Sequence, residues 1–247
     1  MTHPHQTPVR ELYVSPDAAT ALQAEAEKLP AWMLDARQKG ELALLMNGAL
    51  APLRGYMSEA EYSAVPDGAW PVPLVLQVSA DFSGRVQPGD DIALRDGGGV
   101  VAVMSVTDAW GDPVLLGGKV KGLRRPDSTA PNKVRALWRD GRIDRVLAVQ
   151  PDHADQVRAA ARLAQDLDAA LLVQPMAGFA VDVPAGAILA SLPVAPPPGP
   201  QAALWQGMVA RNFGATHLML FDAAAQDIYR PHQDRIGVRM VVPGGTF

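Results

Sequence analysis

The stretch Gly48-Ala49-Leu50-Ala51-Pro52-Leu53-Arg54-Gly55-Tyr56-Met57 constrains this chain more than any other. It sets a glycine, a proline and a second glycine among apolar residues, the pattern of a tight turn holding a rigid apolar loop. Soon after comes Gly68-Ala69-Trp70-Pro71-Val72-Pro73-Leu74-Val75-Leu76, with two prolines at alternate positions directly before an apolar run. Pro71 and Pro73 fix φ and cannot donate to a ladder, so this run reads as an extended entry into a strand. By spacing alone the two stretches are a loop and a strand of a core.

The length of 247 residues allows one large domain or two small ones, and 48% hydrophobic residues supply a core. A net charge of −4 and a pI near 5.7 give no electrostatic case for nucleic acid or an anionic membrane. With no cysteine there is no disulfide, thiol nucleophile or thiolate metal site, which fits a reducing cytoplasm. Met1 to Arg10 lacks the apolar centre of a signal peptide. No apolar run reaches the ~18 residues of a spanning helix. A soluble, cytoplasmic protein is expected.

In chain order, residues 1–15 read as a mobile arm, with His3 and His5 among proline and glutamine. Ser15-Pro16-Asp17 opens a helix that Pro30 ends. A second helix is expected over Ala36 to Met46. A short third begins at Ser58, with Glu61 at the reciprocal capping position. From Val72 the period becomes two: Val72, Leu74, Leu76 and Val78 alternate. Asp91–Leu94 and Val100–Val106 are strands about a turn at Asp96 to Gly99, and Pro113 to Gly122 continues the β pattern. Short strands joined by Gly-rich turns argue for a small closed or half-closed β domain.

Arg124 to Asn132 is a polar, proline-bounded linker, so the expected domains are 1–130 and 133–247. The second alternates. Val134 to Asp140 is helical, Val146–Val149 a buried strand, Asp155 to Leu167 a helix and Ala169–Val173 a strand. An apolar run follows over Val183 to Val194, then a stiff Pro196–Pro200 turn. Leu204 to Phe213 is a helix and His217–Phe221 a third strand. Such alternation means a parallel sheet with crossover helices.

Gly48, Pro52, Leu53, Gly55, Met57, Tyr62, Gly68, Trp70, Pro71 and Pro73 carry a resemblance to the N-terminal domain of the ATP sulfurylase (sulfate adenylyltransferase) family. That family shows a G-A-F-S-P-L-x-G-F-M segment and then G-x-x-W-P-I-P-I-x-L. Arg211-Asn212-Phe213-Gly214-Ala215-Thr216-His217 is similar to its R-N-x-G-x-T-H. The resemblance implies an α+β and α/β protein: a PUA-like β-barrel domain with flanking helices, then a Rossmann-like (nucleotidyltransferase, HUP-type) parallel-sheet domain. Trp70, Pro71 and Pro73 are expected to pack at the foot of the β domain, against its own helices or the second domain. The family often continues beyond this point into a further domain or an adenylyl-sulfate kinase. No G-x-x-x-x-G-K-[ST] occurs in the sequence, so no P-loop kinase motif is present.

ATP sulfurylases move AMP from ATP onto sulfate and release pyrophosphate, which requires cations where charge builds on phosphate. The family places them in Q-x-R-N-P-x-H-x-x-H, G-P-R-E-A and G-R-D-H-A runs. In the first run Gln150 matches, but the arginine position is Asp152, the asparagine position His153, and the histidine positions Gln156 and Ala159. In the second, Gly199, Pro200 and Ala203 match, but Gln201 and Ala202 replace arginine and glutamate. In the third, Asp222, Ala223 and Ala224 replace arginine, aspartate and histidine. A charge reversal beside a polyanion costs on the order of several kcal/mol.

The nucleotide-cleft candidates are therefore Gln150, Asp152, His153, Gln201, His217 and Asp222, with no catalytic residue and no metal site assigned. His217 opens an apolar strand and reads as a structural histidine. Arg158 and Arg162, a turn apart, read as a solvated helix face, with an anion at the helix start as the alternative. A metal site from Asp227, His232 and Asp234 is the weakest idea. The expected function is a catalytically silent ATP sulfurylase-like scaffold, or a regulatory or binding module related to sulfate assimilation. Its alternative is an active sulfate adenylyltransferase making adenylyl sulfate and pyrophosphate. The expected partners are a small anion or nucleotide, with Mg-ATP the one cofactor route, and a second copy or a sulfate-assimilation protein. Neither nucleic acid nor a membrane is expected.

Overall fold

The computed structural model describes residues 7–65, 72–126, 129–176, 178–199 and 201–244. His3, His5, Gly68, Trp70, Pro71 and Pro200 lie outside the described residues. The chain divides into two compact units, one of Arg10–Asp127, the other of Ser128–Phe247 joined by residues 7–9.

In the first unit the helix starts are those their caps dictate. α1 (Pro16–Ala26) begins on Ser15, whose hydroxyl accepts from the Ala18 N–H. Helix α2 (Ala36–Met46) begins in a capping box. Asp35 accepts from the Gln38 N–H at 2.8 Å, and the Gln38 side chain accepts from the Asp35 N–H at 3.3 Å. α3 (Glu59–Ser63) repeats the device with Ser58 and Glu61.

Between α1 and α2 lies β1 (Ala31–Met33), which the sequence reading left as a connection. It runs parallel to β4 (Asp91–Asp96). β4 pairs antiparallel with the long β5 (Gly99–Trp110), and β5 with β6 (Leu115–Gly122). Two short strands share the far side of β6: β2 (Gly55–Tyr56) and β3 (Leu76–Gln77). Register shifts at Leu94/Arg95 and Val106/Asp108 bend the long strands, the usual effect of an extra residue in one strand of a pair.

The run from Val72 is less of a strand than its alternation suggests. Val72, Leu74, Leu76 and Val78 are all buried, but only Leu76 and Gln77 join the ladder. Pro73 has no N–H to give, and the Leu74 carbonyl accepts from the Met57 N–H at 2.8 Å. Pro73 itself is exposed, which corrects the expectation that it packs into the unit. The Gly48–Met57 loop is rigid for a stated reason. β2 crosses so close to β6 that a Cβ on Gly55 would stand 1.9 Å from the Gly118 carbonyl oxygen.

The described part of the N-terminal arm is anchored rather than mobile. Val9 exchanges two hydrogen bonds with the Asn132 side chain, each 2.9 Å, and the Leu12 N–H donates to the Met46 carbonyl at 2.8 Å. Thr7 takes the buried Arg135 guanidinium on its carbonyl, at 2.6 Å from Nη2.

The second unit opens with α5 (Pro131–Asp140), which begins inside the stretch read as a linker. Then follow β7 (Val146–Val149), α6 (Ala154–Asp166), β8 (Ala170–Val173), β9 (Ile188–Leu189), α7 (Ala202–Asn212) and β10 (His217–Met219). After β10 the chain folds as α8 (Ala223–Tyr229), α9 (Gln233–Ile236) and β11 (Arg239–Val241). Helix α9 is too short to show a period, and Gly237, at φ 79°, turns the chain straight into β11. All five strands are parallel, in the order β11-β10-β7-β8-β9. As expected, Val146–Val149 and His217–Met219 are parallel neighbours. Leu147, Val149, Leu171 and Val173 pack on Val157, Ala160, Leu163 and Ala164 of α6, the face that the helical spacing marks as apolar.

Candidate functional site

A parallel sheet has one place where its connections leave in opposite directions. Here it lies between β7 and β10: from β7 the chain winds outward through α6 to β8, and α7 returns it to β10 on the other side of β7. Loops leaving two such strands diverge and open a crevice beyond their carboxyl ends. That crevice receives Gln150-Pro151-Asp152-His153 from β7 and Leu220-Phe221-Asp222 from β10.

Gln150, Asp152, His153 and Asp222 lie in these loops, and Gln201 stands at the start of α7. Gln150 is turned inward, its Nε2 donating to Gln174 Oε1 at 3.2 Å and to the Gln206 carbonyl of α7 at 3.3 Å. Asp152 and His153 are exposed on the rim, His153 Nε2 standing 3.8 Å from Asp152 Oδ1. The Asp152 N–H donates to Gln156 Oε1 at 2.9 Å, so Gln156 supports the loop that precedes its helix. Asp222 caps α8, accepting from the Ala225 N–H at 2.7 Å, and is thereby held at the helix start. Gln201 opens α7, the helix whose Gln206 carbonyl meets Gln150. Arg158 pairs with Asp155 on the exposed side of α6, which fits a solvated face.

His217 is the exception and a correction. It begins β10, opposite Leu147, so it stands at the amino end of the strand and not among the crevice loops. Its Nδ1 is 2.8 Å from the Thr216 hydroxyl. Burial first, then the charges of Arg239 and Arg145, hold its pKa below the ordinary 6.5. A depressed pKa means that the unfolded chain takes up the proton first. The stability is whole above pH 6.5 and is lost as pH falls below it. Urea unfolding followed from about pH 7 to 5 should show that decline, and His217→Gln should flatten it.

Gln174 was not singled out in the sequence. It follows β8 as Gln150 follows β7, and both strands end in Val-Gln-Pro, a repeat visible in the sequence. Gln174 is fully buried, and its Nε2 and the Gln150 Oε1 have no hydrogen-bond partner among the described residues. The floor of the crevice is thus a pair of neutral amides.

The loops after β7, β8, β9 and β10, residues 150–153, 174–187, 190–201 and 220–222, contain no lysine or arginine and carry Asp152, Asp182 and Asp222. Among the described residues no group of three or more His, Cys, Asp or Glu side chains is placed to hold a metal ion, and none of the helices is long and apolar enough to cross a membrane.

Comparison with known proteins bears on both units. Residues 2–115 match the PUA-like domain family. Over 96% of its length the chain is 26% identical to the sulfate adenylyltransferase of Eremothecium gossypii and covers 62% of it. To that of Mycosarcoma maydis it is 27% identical, covering 96% of this chain and 57% of that one. The chain is ATP sulfurylase-like. A solved structure described as a hexameric APS kinase from Thiobacillus denitrificans matches 95% of this ATP sulfurylase-like chain with a TM-score of 0.81 and 31% identity. The chain covers 55% of that structure, so it spans less than two thirds of the relatives it resembles. The PUA-like match and the five-stranded parallel sheet agree with that likeness.

Proposed function

We propose that this chain is a catalytically silent ATP sulfurylase-like scaffold, a binding or regulatory module related to sulfate assimilation. The carrying observation is the absence of lysine and arginine from every loop at the carboxyl ends of β7 to β10, beside three aspartates. Triphosphate and sulfate are desolvated into a crevice only when opposite charge or many donors meet them. Gln150 and Gln174 are neutral, and the first donates inward. Each lost contact to developing charge removes ~3 kcal/mol, compounding without strict additivity. Assembly with a second copy or with a sulfate-assimilation protein, in the cytoplasm, belongs to the same reading. The hexameric relative and the cysteine-free composition support it.

The alternative is an active sulfate adenylyltransferase, favoured by the names of the relatives at 25–28% identity. Mg²⁺ bridging Asp152 or Asp222 to phosphate is its one route to ATP. Calorimetric titration with ATP, with and without Mg²⁺, followed by a pyrophosphate assay with sulfate, separates the two. Pyrophosphate release should stay at the no-enzyme level. Sulfate-dependent release clearly above it overturns the silent reading and installs the active one.

A further inference from the structure

The PUA-like unit holds a cleft of about 550 Å³ that is independent of the sheet crevice and of the silent reading. That volume lies within the range of small-molecule sites. One wall is the Trp32 indole, and its position is fixed twice over. Its Nε1 donates to Gln38 Oε1 at 3.0 Å, and its ring packs on Phe82 with centroids 5.1 Å apart. Gln38 is itself held, Nε2 donating to the Gln77 carbonyl at 2.7 Å. The Gln38 amide is thus committed to the wall, and the cleft offers an occupant the Trp32 indole, apolar Val78 and Leu115, and charge.

That charge is unbalanced. Asp35, Glu41 and Arg37 all line the cleft, two carboxylates against one guanidinium. Arg37 is committed to Glu41, Nε to Oε1 at 2.8 Å, and the Glu41 side chain is only 18% exposed. Asp35 gives one oxygen to the α2 cap, and its other has no partner among the described residues. Burial first, then the Arg37 pairing against it and the nearby Asp35 charge, leaves the Glu41 carboxyl above its ordinary pKa. The buried Tyr56 hydroxyl, which has no hydrogen-bond partner among the described residues, feels both carboxylates.

We infer that this cleft is a binding site for a small organic monocation with a flat apolar body, its ammonium or guanidinium group meeting Asp35 and Glu41 and its body lying against Trp32. An apolar body stacked on the indole, with its cation beside a carboxylate short of one partner, gains from both contacts at once. A carboxylate or phosphate ligand meets net negative charge and is refused.

The test uses the full chain and three probes that share one phenethyl body: phenethylamine, 2-phenylethanol and 3-phenylpropionate. The readout is the indole N–H resonance of Trp32, assigned by its loss in Trp32→Phe. The amine should bind about tenfold or more tightly than the alcohol, and the propionate weakest. Asp35→Asn preserves the helix cap, and Glu41→Gln preserves shape. Each should weaken the amine by about fivefold or more and leave the alcohol unchanged. Equal binding of the three probes, insensitivity of the amine to both substitutions, or an unmoved Trp32 resonance at about 10 mM amine overturns the inference.

Discussion

Gly55→Ala should unfold the PUA-like unit. The added Cβ would stand 1.9 Å from the Gly118 oxygen, 2.7 Å from the Lys119 Cα and 2.8 Å from the Gly118 carbonyl carbon. All three are backbone atoms of β6, so no rotamer change relieves the overlap. β2 has to leave β6, and with it goes the anchorage of the Gly48–Met57 loop. The cost is expected above about 4 kcal/mol, the exceptional end for a point substitution and most of the stability of a small domain. Gly97→Ala is the control: nothing stands within 4 Å of a Cβ there. Denaturant midpoints should separate the two substitutions widely, and a Gly55→Ala cost under about 1 kcal/mol would show that β2 does not pack as described.

Arg135→Leu should cost the α/β unit about 3 kcal/mol. Arg135 is 4% exposed and donates to the Thr7 carbonyl from Nε and Nη2, and from Nη1 to the Arg211 and Asn212 carbonyls at 3.2 Å. Burial, then the charges of Arg211 and Arg139, pulls its pKa down to about 10, so the guanidinium stays charged at neutral pH. Two of its three acceptors are the last carbonyls of α7, the groups a helix cannot satisfy by itself and the end where positive charge is favoured. Trp138 adds a 3.0 Å bond to the Phe213 carbonyl one residue on. Leucine would fill much of the volume but leave three carbonyls bare. Arg135→Lys keeps the charge but not the fork, and should recover only part of the loss. Hydrogen exchange of α7 should accelerate most at its carboxyl end. Uniform protection in both variants would contradict the clamp.

Sequence legibility followed the strength of the local signal. Capping residues at Ser15 and Ser58 and the apolar runs of β7 and β8 set their elements to within a residue or two, because short-range hydrogen bonds and burial decide them. β1, β2 and β11 have two or three residues each and exist only because a partner strand lies beside them, which no local pattern announces. In the crevice, residue types were readable from motif positions, and so was the loss of cations. The inward turn of Gln150 onto Gln174 was not, since it depends on two strands brought side by side. His217 was misplaced because a motif gives proximity in sequence, whereas its end of the strand is set by chain direction.

Residues 7–9 belong to the unit that the rest of the chain completes last, and this has a consequence in time. Val9 is 123 residues from Asn132, its hydrogen-bond partner. At ~5–20 residues per second of synthesis, the N-terminal segment emerges roughly 6–25 s before α5 exists to receive it. All of the PUA-like unit is made in that interval. The α/β unit therefore closes on a segment made first and docked last, so a ribosome-bound chain arrested before residue 131 should leave Thr7–Val9 open to protease, and one released at full length should protect it.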